Sequence, residues 1–334
     1  MPLPAHFYQM AISEQGRCLA LMQLLPAAKV QESPLLVVNV YSDPATLLFK
    51  LNLPLVTAES IPQITVLDDG ALIVSESATG RLAFYSPQGQ VLNEVLLFKD
   101  AGYDLERLLM VAPANVEVNR VAVLASKRGS APLDSNAPFP SAEPHLFLFD
   151  LQGRQIWKQP LPQAAPANLA FSPDGEKILV SVYSSYLFRN VVKKTLLLQS
   201  DGAVLNTFPF LMKQAAFARL PKSALIADRF TVRQIDLESG KLLWEHHFLP
   251  EKGMVAAVKL DSAGKTAAVL TGLNRFTNNR FEFHEPRLYL FDRSGSLTRQ
   301  ISFNQETFLT PALHFQDGAI FIGFTHNLYK TEVQ

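Results

Sequence analysis

A single cysteine, Cys18, stands in 334 residues, so no internal disulfide can form and no cysteine-based metal site is available. One cysteine suits a reducing and an oxidising compartment alike. The charge balance is equally plain: 30 basic residues offset 30 acidic ones, which removes the broad positive field that nucleic acid or an acidic membrane surface would require. No window approaches 18 uninterrupted apolar residues, so no helix is expected to span a membrane. The opening MPLPAHFYQMAISEQGR has no basic segment leading into an apolar one and reads as lacking a secretory signal. A cytoplasmic location is the expectation, on a pattern that a processed or excised chain would share.

Catalytic motifs are missing as well. The seven histidines are His6, His145, His246, His247, His284, His314 and His326, and none forms the H-x-x-x-H or H-E-x-x-H spacing that sets two ligands on one helical face. His246 and His247 are neighbours on an expected strand and so point to opposite faces. His284 and Glu285 fall in a segment that reads as a long loop, where a surface role outweighs a ligand role. No G-x-S-x-G elbow and no Gly-rich phosphate loop occurs. The expectation is no catalytic residue, no metal and no cofactor, and the balance leans away from an enzyme without closing that reading.

What the chain does have is a recurring turn. In FSPDGEKILV, Phe171 to Val180, Pro173 presets φ and Gly175 accepts positive φ between two apolar runs, the signature of a β-hairpin. Weaker copies are EQG at 14–16, LDDG at 67–70, DSAG at 261–264 and QDG at 316–318. Alternating with them is a second turn, in which an aromatic or aliphatic run enters a polar stretch ending in Gly. Its copies are FYSPQG at 84–89, LFDLQG at 148–153, LLQSDG at 197–202, IDLESG at 235–240 and LFDRSG at 290–295. SDPAT at 42–46, PANVEVN at 113–119 and LPKS at 220–223 fill the blanks.

Gly16 and Gly318 lie 302 residues apart, six intervals of about 50, the length of a four-strand propeller blade. The expected fold is therefore all-β, a single β-propeller of seven blades over residues 1–334. The blades fall at roughly 6–54, 55–99, 100–162, 163–212, 213–250, 251–304 and 305–334. In each, strands A and B make the inner hairpin and strands C and D the outer one. The seventh runs out after strand C at Asn327 to Val333, so it closes with three strands, has lost its fourth, or takes one from a partner, a neighbouring copy or a continuation of the chain. DLERLLMV, Asp104 to Val111, suits helical and strand periods, with a strand favoured; elsewhere β-branched and aromatic residues at period two favour strands.

LFDLQGRQIWKQPL and QIDLESGKLLWEHHF resemble repeats of quinoprotein propellers, in which an Asp, a Gly and a later Trp recur, and LAFSPDGEKILV is similar to the inner hairpin of tryptophan-aspartate repeats. The resemblance implies the propeller fold and no specific family. It implies little about activity, since the Trp recurs only at Trp157 and Trp244 and the closing Trp-Asp dipeptide is absent. A quinone-dependent oxidoreductase or a lactonase-like hydrolase, acting at the channel mouth, is the enzyme alternative. One cysteine cannot make the adjacent-cysteine disulfide typical of the alcohol-oxidising quinoproteins.

In such a fold the A–B and C–D turns share one face and the B–C and D–A connections the other. Three B–C connections read as long loops: Ser126 to His145, Ser184 to Lys194 and Thr271 to Arg287. Long connections on a rigid scaffold are where binding concentrates. They gather Lys127, Arg128, Tyr186, Phe188, Arg189, Arg275, Phe276, Arg280 and Phe281, the arginine and aromatic types enriched at protein interfaces. The functional expectation is a non-enzymatic interaction module or scaffold subunit that binds a protein partner or joins a larger complex through this face. Basic residues among aromatics also suit single-stranded nucleic acid, a reading the neutral total charge argues against.

Overall fold

The computed structural model describes residues 7–25, 35–43, 46–54, 61–98, 105–129, 143–162, 164–184, 192–218, 222–277, 280–304, 312–316, 318–323 and 328–332. The chain is a seven-bladed β-propeller: six antiparallel sheets of four strands and a last of three. The first sheet comprises β1 (Phe7–Ile12), β2 (Leu19–Leu25), β3 (Leu35–Asp43) and β4 (Thr46–Pro54), the second β5 (Gln63–Val66), β6 (Leu72–Glu76), β7 (Arg81–Tyr85) and β8 (Val91–Leu96). The third holds β9 (Leu105–Pro113), β10 (Val121–Gly129), β11 (Glu143–Phe149) and β12 (Gln155–Pro160), the fourth β13 (Ala165–Phe171), β14 (Lys177–Ser184), β15 (Val192–Gln199) and β16 (Val204–Phe208). The fifth has β17 (Gln214–Ala218), β18 (Ser223–Ala227), β19 (Thr231–Asp236) and β20 (Leu242–His247), the sixth β21 (Met254–Leu260), β22 (Thr266–Thr277), β23 (Arg280–Asp292) and β24 (Leu297–Ser302). β25 (Ala312–Gln316), β26 (Ala319–Gly323) and β27 (Leu328–Glu332) form the seventh. DLERLLMV is strand, within β9. No helix is long and apolar enough to cross a membrane among these residues.

The turn glycines carry the fold's local logic. In the outer hairpins the glycine N–H donates back three residues, Gly153 to Asp150 and Gly295 to Asp292, both at 3.0 Å, and the glycine then takes positive φ, 78° and 83°. That is a type I turn closed by a left-handed residue, a conformation glycine reaches without a Cβ clash. Just past the C–D turn, each four-stranded sheet carries a β-bulge in strand D, where Leu48, Leu92, Ile156, Leu205, Leu243 and Thr298 are the extra residues against strand C. Each bulge adds local twist to the blade.

The chain divides into two compact units, residues 1–178 with 184–191 and 200–202, and residues 179–183 with 192–199 and 203–334. In the first, Val38, Val40, Leu72 and Val74 make a core between the first and second sheets, and Phe84, Val123, Phe147 and Phe149 one between the second and third. In the second, Val232, Trp244, Phe248, Val269 and Phe291 join the fifth and sixth sheets, and Leu270, Leu288, Leu313 and Ile320 join the sixth and seventh. Neighbouring sheets thus bury their faces on each other, which is how successive blades of a propeller obtain a continuous core.

A second tie recurs at the outer strands, with no local signal in the sequence. Asn93 Nδ2 on β8 donates to Gly153 O at 2.7 Å, Gln159 Nε2 on β12 to Gly202 O at 3.2 Å, and Asn206 Nδ2 on β16 to Gly240 O. Trp157 Nε1 likewise donates to Ser200 O at 2.8 Å. These three outer strands therefore grip the next blade's C–D turn, and the turn glycine leaves room for it.

β27 pairs with β26, from Gly323↔Leu328 to Ala319↔Glu332. β1 pairs with β2 and so opens the first sheet. Strand C is almost wholly buried in the second and fifth sheets, whereas in β27 exposed Leu328, Lys330 and Glu332 alternate with half-buried Tyr329 and Thr331.

Candidate functional site

The connection expected as a loop from Thr271 to Arg287 is strand for nearly its whole length. β22 and β23 run 12 and 13 residues and stay paired out to Thr277↔Arg280, whereas the matching strands of the second sheet have five each. The reason is β-propensity: Phe276, Phe281 and Phe283 are aromatic residues that favour a strand. The sixth blade thus carries a hairpin arm in place of a loose loop.

The base of the arm is tightly built. The ladder slips between Thr271 and Leu273, and Glu285 sits at φ 49°, unusual for a residue with a side chain. Gly272 faces the Phe283 ring so closely that a Cβ would overlap it, and a Cβ on Gly253 would overlap the Gly272 backbone. Thr271 Oγ1 donates to Lys252 O at 3.1 Å, fixing the arm to the connection that leads into β21. Phe283 and His284 are buried, with His284 Nε2 3.1 Å from Glu282 Oε2. Glu285 receives Arg287 at 2.8 Å and Arg275 at 3.5 Å. Further out, Arg275 is exposed and Phe276 is 62% exposed.

Of the other expected residues, Arg280 and Phe281 lie in β23 on the same arm, and their side chains are outside the described set. Lys127 and Arg128 lie at the end of β10, in the other compact unit, where Lys127 is 3.9 Å from Glu143. Tyr186, Phe188 and Arg189 fall outside the described residues. The segments that read as loops from Ser126 and Ser184 begin as strand here too, to Gly129 and Ser184.

Blades with short B–C turns treat that end differently. In the second sheet Arg81 spans Glu76 at the turn and Glu94 on β8, both at 2.8 Å, and Glu94 is held below the usual carboxylate range by the Arg81 hydrogen bond. In the fifth, Arg233 spans Asp228 at 3.0 Å and Glu245 on β20, and its guanidinium lies 4.3 Å from the Phe210 ring centroid. Glu245 also meets His247 Nε2 at 2.7 Å, and His247 Nδ1 lies 2.9 Å from Thr231 Oγ1. The carboxylates are thereby used up internally. His246 turns the other way, its ring 4.8 Å from those of Phe248 and Phe291, as adjacent strand positions require. Burial foremost, then the neighbouring His247, lowers the His246 pKa.

Among the described residues no three His, Cys, Asp or Glu side chains converge as metal ligands. The sequence reading missed Arg229, on the short turn after β18, and Lys252, ahead of β21. Both are exposed cations with no ion pair to a carboxylate among the described residues. Arg229 stacks on Phe230 at 5.1 Å and its Nε points to Met254 Sδ. Only their place beside the arm distinguishes them, and sequence spacing does not reveal it.

No family model and no curated protein matches the chain. Among solved structures it is similar to a chain of a mitotic checkpoint complex, with TM-score 0.61 and 11% identity, covering 100% of this chain and 94% of that one. It is also similar to Raptor of Chaetomium thermophilum, with TM-score 0.60 and 9% identity, over 99% of this chain and 28% of that one. A third likeness is to the Cps50 (Swd1) β-propeller domain of Myceliophteria thermophila, with TM-score 0.57 and 12% identity, over 100% and 98%. At such identities the likeness is one of fold, and the fold is the propeller. None of the three descriptions names a quinoprotein, so the quinoprotein side of the sequence resemblance gains nothing specific from them.

Proposed function

We propose that the protein is a non-enzymatic interaction module that binds a protein partner through the B–C connections of its third, fourth and sixth blades. The observation that carries this reading is the arm of β22 and β23. A connection that needs only a few residues has instead grown into a long ladder, packed through Gly272 and Gly253 at its base and carrying an exposed arginine and an exposed phenylalanine on its two faces. Exposed arginine and large apolar side chains are the types found at interface anchors. The contrast with the clamped short turns at Arg81 and Arg233 supports the same side. On this reading Arg275, Phe276, Arg280 and Phe281 belong to the binding surface, together with Lys127, Arg128, Tyr186, Phe188 and Arg189 on their own connections. The described likenesses include a chain from a structure of a complex, a setting such a module would share. The test is to express the tagged chain in its own cells and ask what co-purifies. A stoichiometric partner lost on shortening the arm supports the reading; a chain that purifies alone under gentle conditions overturns it.

A further inference from the structure

From β15 through the fifth sheet to the arm, exposed cations stand that have no ion pair to a carboxylate among the described residues. Within the second compact unit a chain of direct contacts beneath them links the elements that carry them. Thr195 Oγ1 donates to Phe210 O at 2.7 Å, Phe210 lies under Arg233, and Arg233 holds Asp228. Arg229 O accepts from Val255 N at 3.0 Å, and Lys252 O accepts from Thr271 at the arm's base. Along this path every acid but one is already paired: Asp228 and Glu245 to Arg233, Glu282 to His284, Glu285 to Arg275 and Arg287. The exception is exposed Glu251. Exposed Lys194, Arg229 and Lys252 have no ion pair to a carboxylate among the described residues. Two apolar side chains of the same unit are exposed, Leu249 at 58%, whose carbonyl accepts from Lys252 N at 2.8 Å, and Phe276 at 62% on the arm.

We infer that this surface takes an extended acidic segment of a partner protein, its carboxylates on Lys194, Arg229 and Lys252 and its apolar side chains on Leu249 and Phe276. This deepens, and rests on, the reading of the B–C connections as the binding face. Among the described groups along this path that have no ion pair, three cations, Lys194, Arg229 and Lys252, stand against one acid, Glu251, so complementarity selects an anionic partner. The exposed leucine and phenylalanine select a peptide over a polyphosphate, which three separated cations would hold weakly.

The test titrates the full chain into a fluorescein-labelled peptide of alternating glutamate and leucine, reading anisotropy at low and at raised salt. Saturable binding that weakens with salt is expected. The double variant Arg229→Glu, Lys252→Glu should weaken it by about tenfold or more, since each exposed charge contributes a fraction of a decade to about a decade and reversal counts against it. The neutral pair Arg229→Gln, Lys252→Gln should show the same direction with a smaller effect. Charge reversal at exposed Lys241 and Lys265, which lie at C–D and A–B turns, should leave binding unchanged. Thermal melts matched to the parent establish that each variant is folded. Equal loss from both pairs, equal binding of a glutamine-for-glutamate peptide, or tighter binding of single-stranded oligothymidylate would each overturn the inference. A co-purified partner that ignores Arg229→Glu, Lys252→Glu but is lost on shortening the arm would sink this inference and leave the proposed function standing. A partner indifferent to both would sink the two together.

Discussion

Asn93 Nδ2 donates to the carbonyl of Gly153, 60 residues away, at 2.7 Å, and the glycine that accepts it has no side chain because none would fit. The pair joins the outer strand of the second blade to the C–D turn of the third. Asn93→Ala removes one hydrogen bond and should cost about 1 kcal/mol. Gly153→Ala should cost more, about 2 kcal/mol or above, because its φ of 78° is unfavourable for alanine and its Cβ would lie 2.6 Å from Phe84 Cδ2. Denaturant midpoints of the two variants check the order; a more damaging Asn93→Ala would contradict it.

Gly295 and Gly16 separate the two contributions. Both have positive φ, 83° and 73°, yet a Cβ on Gly295 would lie 2.6 Å from Trp244 Cγ while a Cβ on Gly16 would meet nothing within 4 Å. Gly16→Ala should therefore show the backbone cost alone, about 1 kcal/mol, and Gly295→Ala that cost plus the displacement of a buried indole. Thermal midpoints in parallel would contradict this if the two substitutions proved equal.

His246 sets a pH dependence whose sign follows from its surroundings. Half-buried against Phe248 and Phe291, it has a folded-state pKa below the ordinary 6.5, so the unfolded chain takes up the proton first. The neutral ring's stability is present above about pH 6.5 and is lost as pH falls through that value towards the folded pKa. His145 and His314 are shifted the same way, each mainly by burial. The melting temperature should fall between about pH 7.5 and about pH 5.5, and His246→Phe should flatten the fall. Parallel curves for parent and variant would show that His246 does not carry it.

The propeller was legible because its turns are spelled in residues with one use. Gly89, Gly153, Gly202, Gly240 and Gly295 all take the positive φ that ends an outer hairpin, and a 50-residue spacing of such turns admits few folds. The arm was legible only as length. Gly272, Asn274, Asn278, Asn279 and Pro286 read as loop, and the phenylalanines among them read as loop aromatics until Thr277↔Arg280 pairing shows a strand on either side. The grip of Asn93 on Gly153 was invisible for a different reason: it joins residues far apart in sequence through a side chain that has no motif. Arg229 and Lys252 escaped notice because what marks them is the pairing of the nearby acids other than Glu251 with something else, a property of the folded chain.

Binding through the B–C connections is the central claim, and the direct measurement is the affinity of the co-purified partner for the parent chain, four single variants and one double variant. Phe276→Ala and Arg275→Ala should each weaken it, by about thirtyfold for an anchor worth about 2 kcal/mol, with unchanged melting temperature. Gln88→Ala and Glu238→Ala, at C–D turns of the second and fifth blades, should leave it as it was. Equal losses from both sets, or full affinity after Phe276→Ala and Arg275→Ala are combined, would contradict the account.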